Sequence, residues 1–123
     1  MMKNNNMQEE VKKENKYISI DDFAKVEIKL GTVLEASIVE GSEKLYKLSV
    51  DFAEDRPRTV FSGIRKFVSI DDIVGKQMPF VTNLEPRKIM DGYSEAMILA
   101  ASEGDVLALL NPTQKLSNGV TLR

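Results

Sequence analysis

Arg87 and Lys88 are the side chains best placed to do chemistry in this sequence. They follow Pro86 in the stretch from Asn83 to Ala101, N-L-E-P-R-K-I-M-D-G-Y-S-E-A-M-I-L-A-A. Pro86 holds its own φ near about −65° and biases Glu85 to an extended backbone, so both cations are expected on a constrained loop rather than a helix. Such a pair suits a polyanion: a guanidinium grips phosphate through two parallel hydrogen bonds, while an ammonium acts as a point charge. The alternative is two solvated surface charges. The apolar run Ala96 to Ala101 then reads as a buried strand fed by this loop.

Most catalytic chemistry is disfavoured. Cys is absent, which removes disulfides, thiolate nucleophiles and cysteine zinc sites. His is absent too, and with it the commonest general base and transition-metal ligand. The 19 acidic residues show no D-x-D-x-D-G spacing that would hold a hard cation. The sequence is therefore expected to be neither an enzyme nor the carrier of a cofactor or metal. Net charge is −2, so nucleic-acid binding by bulk charge is not expected and any such site must be local. No apolar run approaches the roughly 20 residues needed to span a bilayer, and the first residues lack the apolar core of a secretory signal. A cytoplasmic protein without membrane contact is expected.

The elements that must position the cations are mostly strands. Residues 1 to 16, rich in Asn, Lys, Glu and Gln, read as a flexible polar tail, and residues 17 to 123 as one domain. Ser19-Ile20-Asp21-Asp22-Phe23 offers an N-cap and acidic first-turn residues for a short helix, and Ser69-Ile70-Asp71-Asp72-Ile73, stopped by Gly75, offers a second. Val26, Ile28 and Leu30 alternate with Glu27 and Lys29; Gly31 interrupts this as a bulge or bend, and the strand resumes to Val39. Tyr46 to Phe52 alternates most cleanly. Further strands are expected at Arg58 to Ser62, at Gln77 to Asn83 with Pro79 marking an edge or a start, and at the pair Ala96 to Ala101 and Val106 to Leu110. Asn118-Gly119 marks a late turn. A helix between the third and fourth of about five strands is the pattern of the OB-fold, a Greek-key barrel that often binds oligonucleotides; an SH3-like barrel is the alternative from spacing alone.

Taken together, five segments in order resemble a known family. They are Asp22-Phe23-Ala24-Lys25-Val26-Glu27-Ile28-Lys29-Leu30-Gly31, Val39-Glu40-Gly41-Ser42-Glu43-Lys44-Leu45, Phe61-Ser62-Gly63-Ile64-Arg65-Lys66-Phe67, Asn83-Leu84-Glu85-Pro86-Arg87-Lys88-Ile89-Met90 and Ser94-Glu95-Ala96-Met97-Ile98-Leu99-Ala100-Ala101, with Val74-Gly75-Lys76 between the third and fourth. The family is the tRNA-binding OB-fold domain found at the C-terminus of many bacterial methionyl-tRNA synthetases and as free-standing tRNA-binding proteins. The resemblance implies an all-β, five-stranded OB-fold barrel with short helices, tRNA as partner, a homodimer, and an aminoacyl-tRNA synthetase as a further partner. It implies RNA contact by Lys44, Ser94 and Met97, supported by Asn83, Arg87, Lys88, Arg65 and Lys66. An ammonium on a turn reaches phosphate, a hydroxyl can serve base edges or a 2′-OH, and a thioether offers a soft apolar contact. Where the family commonly has S-Q-G-M, this chain has Ser94-Glu95-Ala96-Met97; Glu95 would repel phosphate unless it is hydrogen-bonded elsewhere. A second branch that shares the fold, the CsaA-type export chaperones that bind unfolded peptide, is the alternative implied by Ser94-Glu95, Tyr46-Lys47-Leu48 and Asn118-Gly119-Val120.

Overall fold

A computed structural model describes residues 16–123, so the expected polar tail lies, but for Lys16, outside the described residues. Helix α1 (Ile20–Ala24) starts at Ser19, whose Oγ accepts from Asp22 N at 3.0 Å, as the N-cap reading requires. Strands β1 (Ile28–Ile38), β2 (Tyr46–Asp51) and β3 (Arg58–Ser62) form an antiparallel meander. A single 3-10 turn, Ile70–Asp72, stands where the second helix was expected; Ser69 Oγ binds the Asp72 carboxylate and caps no backbone N–H. Then come β4 (Gln77–Val81), a hairpin of β5 (Arg87–Ile89) and β6 (Gly92–Ser94), the short β7 (Met97–Ile98), and a last hairpin of β8 (Ala100–Glu103) and β9 (Val106–Leu109).

The main sheet runs β3-β2-β1-β4-β7 and curls into a nearly closed barrel. Alternation explains the core. Tyr46, Leu48 and Val50 of β2 point inward with Val33, Val60, Met78 and Phe80, and Phe52 meets Phe80 edge-on with ring centroids 5.3 Å apart. The open edges, β3 on one side and β6–β7 on the other, are joined at Glu95, whose N–H donates to Thr59 O at 2.8 Å and whose carboxylate accepts from Thr59 N at 2.9 Å. The expected all-β, OB-like barrel is the fold observed.

Four local expectations change. The register shift in β1 falls between Val33 and Glu35 rather than at Gly31, which is instead a close approach: a Cβ there would stand 2.5 Å from the Phe52 ring. Pro79 lies mid-strand, not at an edge. Its carbonyl accepts from Leu99 N, so its missing donor faces the β7 side beyond the paired residues Phe80 and Val81. Arg87 and Lys88 are on a strand, because Ile89 and Gly92 close a tight hairpin that pulls the residues after Pro86 into pairing. The run Ala96 to Ala101 is not one buried strand: Ala96 is buried, Met97 is exposed, and Ala100 and Ala101 leave the barrel for the exposed β8.

Candidate nucleic-acid interface

Residues directly opposite in an antiparallel pair share a face, and neighbours along a strand do not. In the β5–β6 hairpin Arg87 faces Ser94 and Lys88 faces Tyr93, so the two adjacent cations point to opposite sides. On the first side Arg87, Ser94 and Met97 line one groove with Phe61, Leu84, Glu85 and Ala96. Three of the expected site residues are thus brought together. Met97 is half exposed, whereas Ser94 is buried and its hydroxyl is committed inside the barrel, accepting from Phe61 N at 3.0 Å and donating to Ala96 O at 3.1 Å.

A second corner gathers Lys44, Arg65 and Lys66. Gly41, at φ 87°, turns the chain after β1, and Ser42 Oγ accepts from both Lys44 N and Leu45 N at 3.2 Å. The segment after β3 docks on this turn: Arg65 N donates to Lys44 O at 3.2 Å, and the Arg65 guanidinium donates to Ser42 O. Lys44 and Lys66 are exposed and make no ion pair among the described residues. Arg87 and Lys88 are likewise exposed and unpaired there. Asn83 does not line the groove. Its amide accepts from Glu27 N at 2.8 Å and donates to Lys25 O at 2.7 Å, fastening the end of α1 to the residues after β4.

Glu95 is not free: its carboxylate oxygens are taken up by hydrogen bonds within the protein. Arg56 holds it with two bonds, at 3.0 and 2.6 Å, and this pairing, aided by Thr59 N, brings its carboxyl down to about 2 against the desolvation that opposes it. Glu95 in turn raises the Arg56 pKa through the same hydrogen bonds. Arg58 is used structurally as well, donating to Glu54, Thr82 O and Glu95 O and lying 5.4 Å from the Phe52 ring centroid. Its bond to Glu54 lowers that carboxyl's pKa.

Sequence reasoning missed a cleft of about 710 Å³ on the other side of the hairpin. Its floor is a row of register partners, Ser37, Lys47 and Phe61, across the outer face of β1, β2 and β3; its wall is Met90, Asp91 and Tyr93. Alternation in β2 and β3 predicts that Lys47 and Phe61 point outward, which was the available signal. Their pairing with Tyr93 needed the tertiary fold. Among the described residues no cluster of His, Cys, Asp or Glu could hold a metal, and no helix is long and apolar enough to cross a membrane.

A family model described as "Putative tRNA binding domain" matches residues 28–121. Methionine–tRNA ligase of Campylobacter jejuni is 42% identical over 119 residues, covering 97% of this chain and 19% of the ligase, and that of Helicobacter pylori strain J99 is 48% identical over 99 residues, covering 80% and 15%. The chain therefore spans less than a fifth of the length of these relatives. Among solved structures, a MetRS-related protein of Pyrococcus horikoshii superposes with a TM-score of 0.81 at 30% identity, covering 87% of this chain and 98% of that one. The chaperone CsaA of Bacillus anthracis superposes at 0.77 with 26% identity, covering 87% and 99%. With its β3 to β7 seam, its Lys44 turn and its Arg87 hairpin inside the matched region, this chain belongs to the family of tRNA-binding domains related to methionyl-tRNA synthetase.

Proposed function

We propose that this chain is a non-catalytic module that binds tRNA by its backbone and shape, in the cytoplasm and in the service of a methionyl-tRNA synthetase. Lys44, Arg65, Lys66, Arg87 and Lys88 supply the phosphate contacts, Met97 an apolar contact in the groove, and Ser94 the groove's fixed floor; Asn83 acts by holding the adjoining chain. The observation that carries this reading is the division of the cations. Lys25, Lys29, Arg56 and Arg58 are each paired with a carboxylate, whereas Lys44, Lys66, Arg87 and Lys88 are exposed without one among the described residues, as are Lys16, Lys47, Lys76, Lys115 and Arg123. Lys44, Lys66, Arg87 and Lys88 are set apart by their place on the turn after β1, the segment after β3 and the β5–β6 hairpin. Charge left unpaired on turns and hairpins is available to a polyanion.

Total tRNA at low salt is expected to shift the protein in a gel, and Lys44→Ala with Arg87→Ala to weaken the shift. With so few cations, the slope of log K against log salt should be about −2 to −4. Absence of a complex at low salt refutes the reading.

A homodimer is part of the proposal. Ile18, Ile20 and Phe23 around α1 and Val106 and Leu110 around β9 are exposed apolar residues that a second copy would cover. Light scattering should give about twice the 13.8 kDa chain mass; a monomer at working concentration removes this part. The same exposed residues, with the CsaA likeness, favour a second reading as a peptide-binding chaperone. Suppression of client aggregation without any tRNA complex would establish it over the first.

A further inference from the structure

The cleft between the β5–β6 hairpin and the outer face of β1–β3 has a composition unlike the cationic corner. Tyr93 is 56% exposed and stands over it, beside the floor row that ends at Phe61. The hairpin tip closes one end. Met90 sits at φ 53°, a left-handed conformation unusual for a side chain of its size, and its methyl reaches Gly41, where a Cβ would stand 3.4 Å away. Glu95 and Arg56 neutralise each other in the wall. That leaves Lys47 against two carboxylates, Glu40 and Asp91, and none of these three is in an ion pair among the described residues.

Two unpaired acids repel a phosphate, so the cleft does not serve the RNA backbone. An aromatic face flanked by carboxylate acceptors and one ammonium donor instead matches an unpaired nucleobase that presents N–H donors beside a carbonyl. We propose that the cleft seats a single unstacked guanine, stacked on Tyr93, its N1–H and N2 amino group donating to Asp91 or Glu40 and its O6 accepting from Lys47. Guanine fits best because it sets two adjacent donors next to an acceptor, whereas uracil offers one donor between two carbonyls. Lys88, opposite Tyr93 on the hairpin, shares the face from which the flanking strand would approach. The inference deepens the tRNA reading by giving it a base contact, but the recognition chemistry applies to any single-stranded RNA.

The test uses labelled pentanucleotides, UUGUU and UUUUU, titrated with the protein and followed by fluorescence anisotropy. UUGUU should bind about tenfold more tightly than UUUUU, the worth of one good bidentate base contact. Tyr93→Leu should lose about tenfold or more, the worth of one stacked base, while Tyr93→Phe keeps the affinity. Glu40→Gln with Asp91→Asn should erase the preference for UUGUU. Thermal melts of each variant report folding. Equal affinity for the two oligonucleotides, no saturable binding up to millimolar concentration, or an unchanged Tyr93→Leu overturns the proposal. A tRNA gel shift in parallel separates the two claims: tRNA binding without discrimination between the pentamers refutes the cleft alone, and discrimination without tRNA binding upholds the cleft and refutes the tRNA reading.

Discussion

Replacing Glu95 by Gln tests whether the barrel is fastened by charge at its seam. The glutamate carboxyl falls from an ordinary 4.5 to about 2 on folding, first because Arg56 donates two hydrogen bonds to it. A tenfold change in proton affinity is worth about 1.4 kcal/mol, so the whole depression sets a ceiling of roughly 3 kcal/mol. The Arg56 side chain is 63% exposed, and solvent screening reduces its share. We therefore expect about 1–2 kcal/mol from the charge. Because the folded pKa is depressed, this stability is fully present above about pH 5 and is lost as pH falls from there toward 2. Gln keeps an oxygen for Thr59 N, so Glu95→Gln removes the charge while sparing most of the geometry. Urea unfolding at pH 7, 5, 4 and 3 should show the variant less stable at neutral pH and the gap closing in acid. Other carboxylates, Glu54 among them, titrate in both proteins and cancel from the difference. A gap that is constant from pH 7 to 3, or absent at pH 7, refutes the argument.

Ser94→Ala leaves Phe61 N without its acceptor in a buried setting and should cost about 1–3 kcal/mol by urea unfolding, so any loss of tRNA affinity must be compared at equal folded fraction. Gly119→Ala forces a side chain onto φ 90° and places a Cβ 2.5 Å from Phe52 O, a backbone atom that cannot swing aside; a loss of about 2 kcal/mol or more is expected in thermal melts. Gly31→Ala drives a methyl into the Phe52 ring and should cost about 1–3 kcal/mol, with a disturbed near-UV signal. Met97→Ala, at a half-exposed position, should change stability by about 0.5 kcal/mol or less while lowering tRNA affinity.

The strands that alternate against a buried face were readable from sequence because solvent imposes a period of two on them. Tyr46 to Asp51 is the clearest case, and the five segments placed Lys44 and Arg87 on the exposed surface where they lie, whereas Met97, read within a buried run, turned out half exposed. What could not be read depends on partners far along the chain. Glu95 looks like a misplaced acid until Arg56 and Thr59, more than thirty residues earlier, are folded against it. Asn83 looks like part of a polar loop until its amide is seen joining Glu27 to Lys25. Ser94 reads as an available hydroxyl, and only closure of the barrel against Phe61 turns it inward. Phe61 and Tyr93 carry no joint signal, since nothing local tells two residues on different strands that they will border one cleft. β8 misled for a simpler reason: small apolar residues mark a strand but not which side of it is covered.

The opposite orientation of Arg87 and Lys88 sets how a large partner must approach. Two neighbouring cations on one face would grip a flat surface like a palm. Here they hang on either flank of a narrow hairpin, so a polyanion that uses both has to straddle it as a rider does a saddle. A concave contour, such as the inside of a bend or the hollow between two strands, satisfies both at once. A smooth convex rod reaches one and leaves the other to water, so discrimination by curvature is built into a two-residue step of backbone.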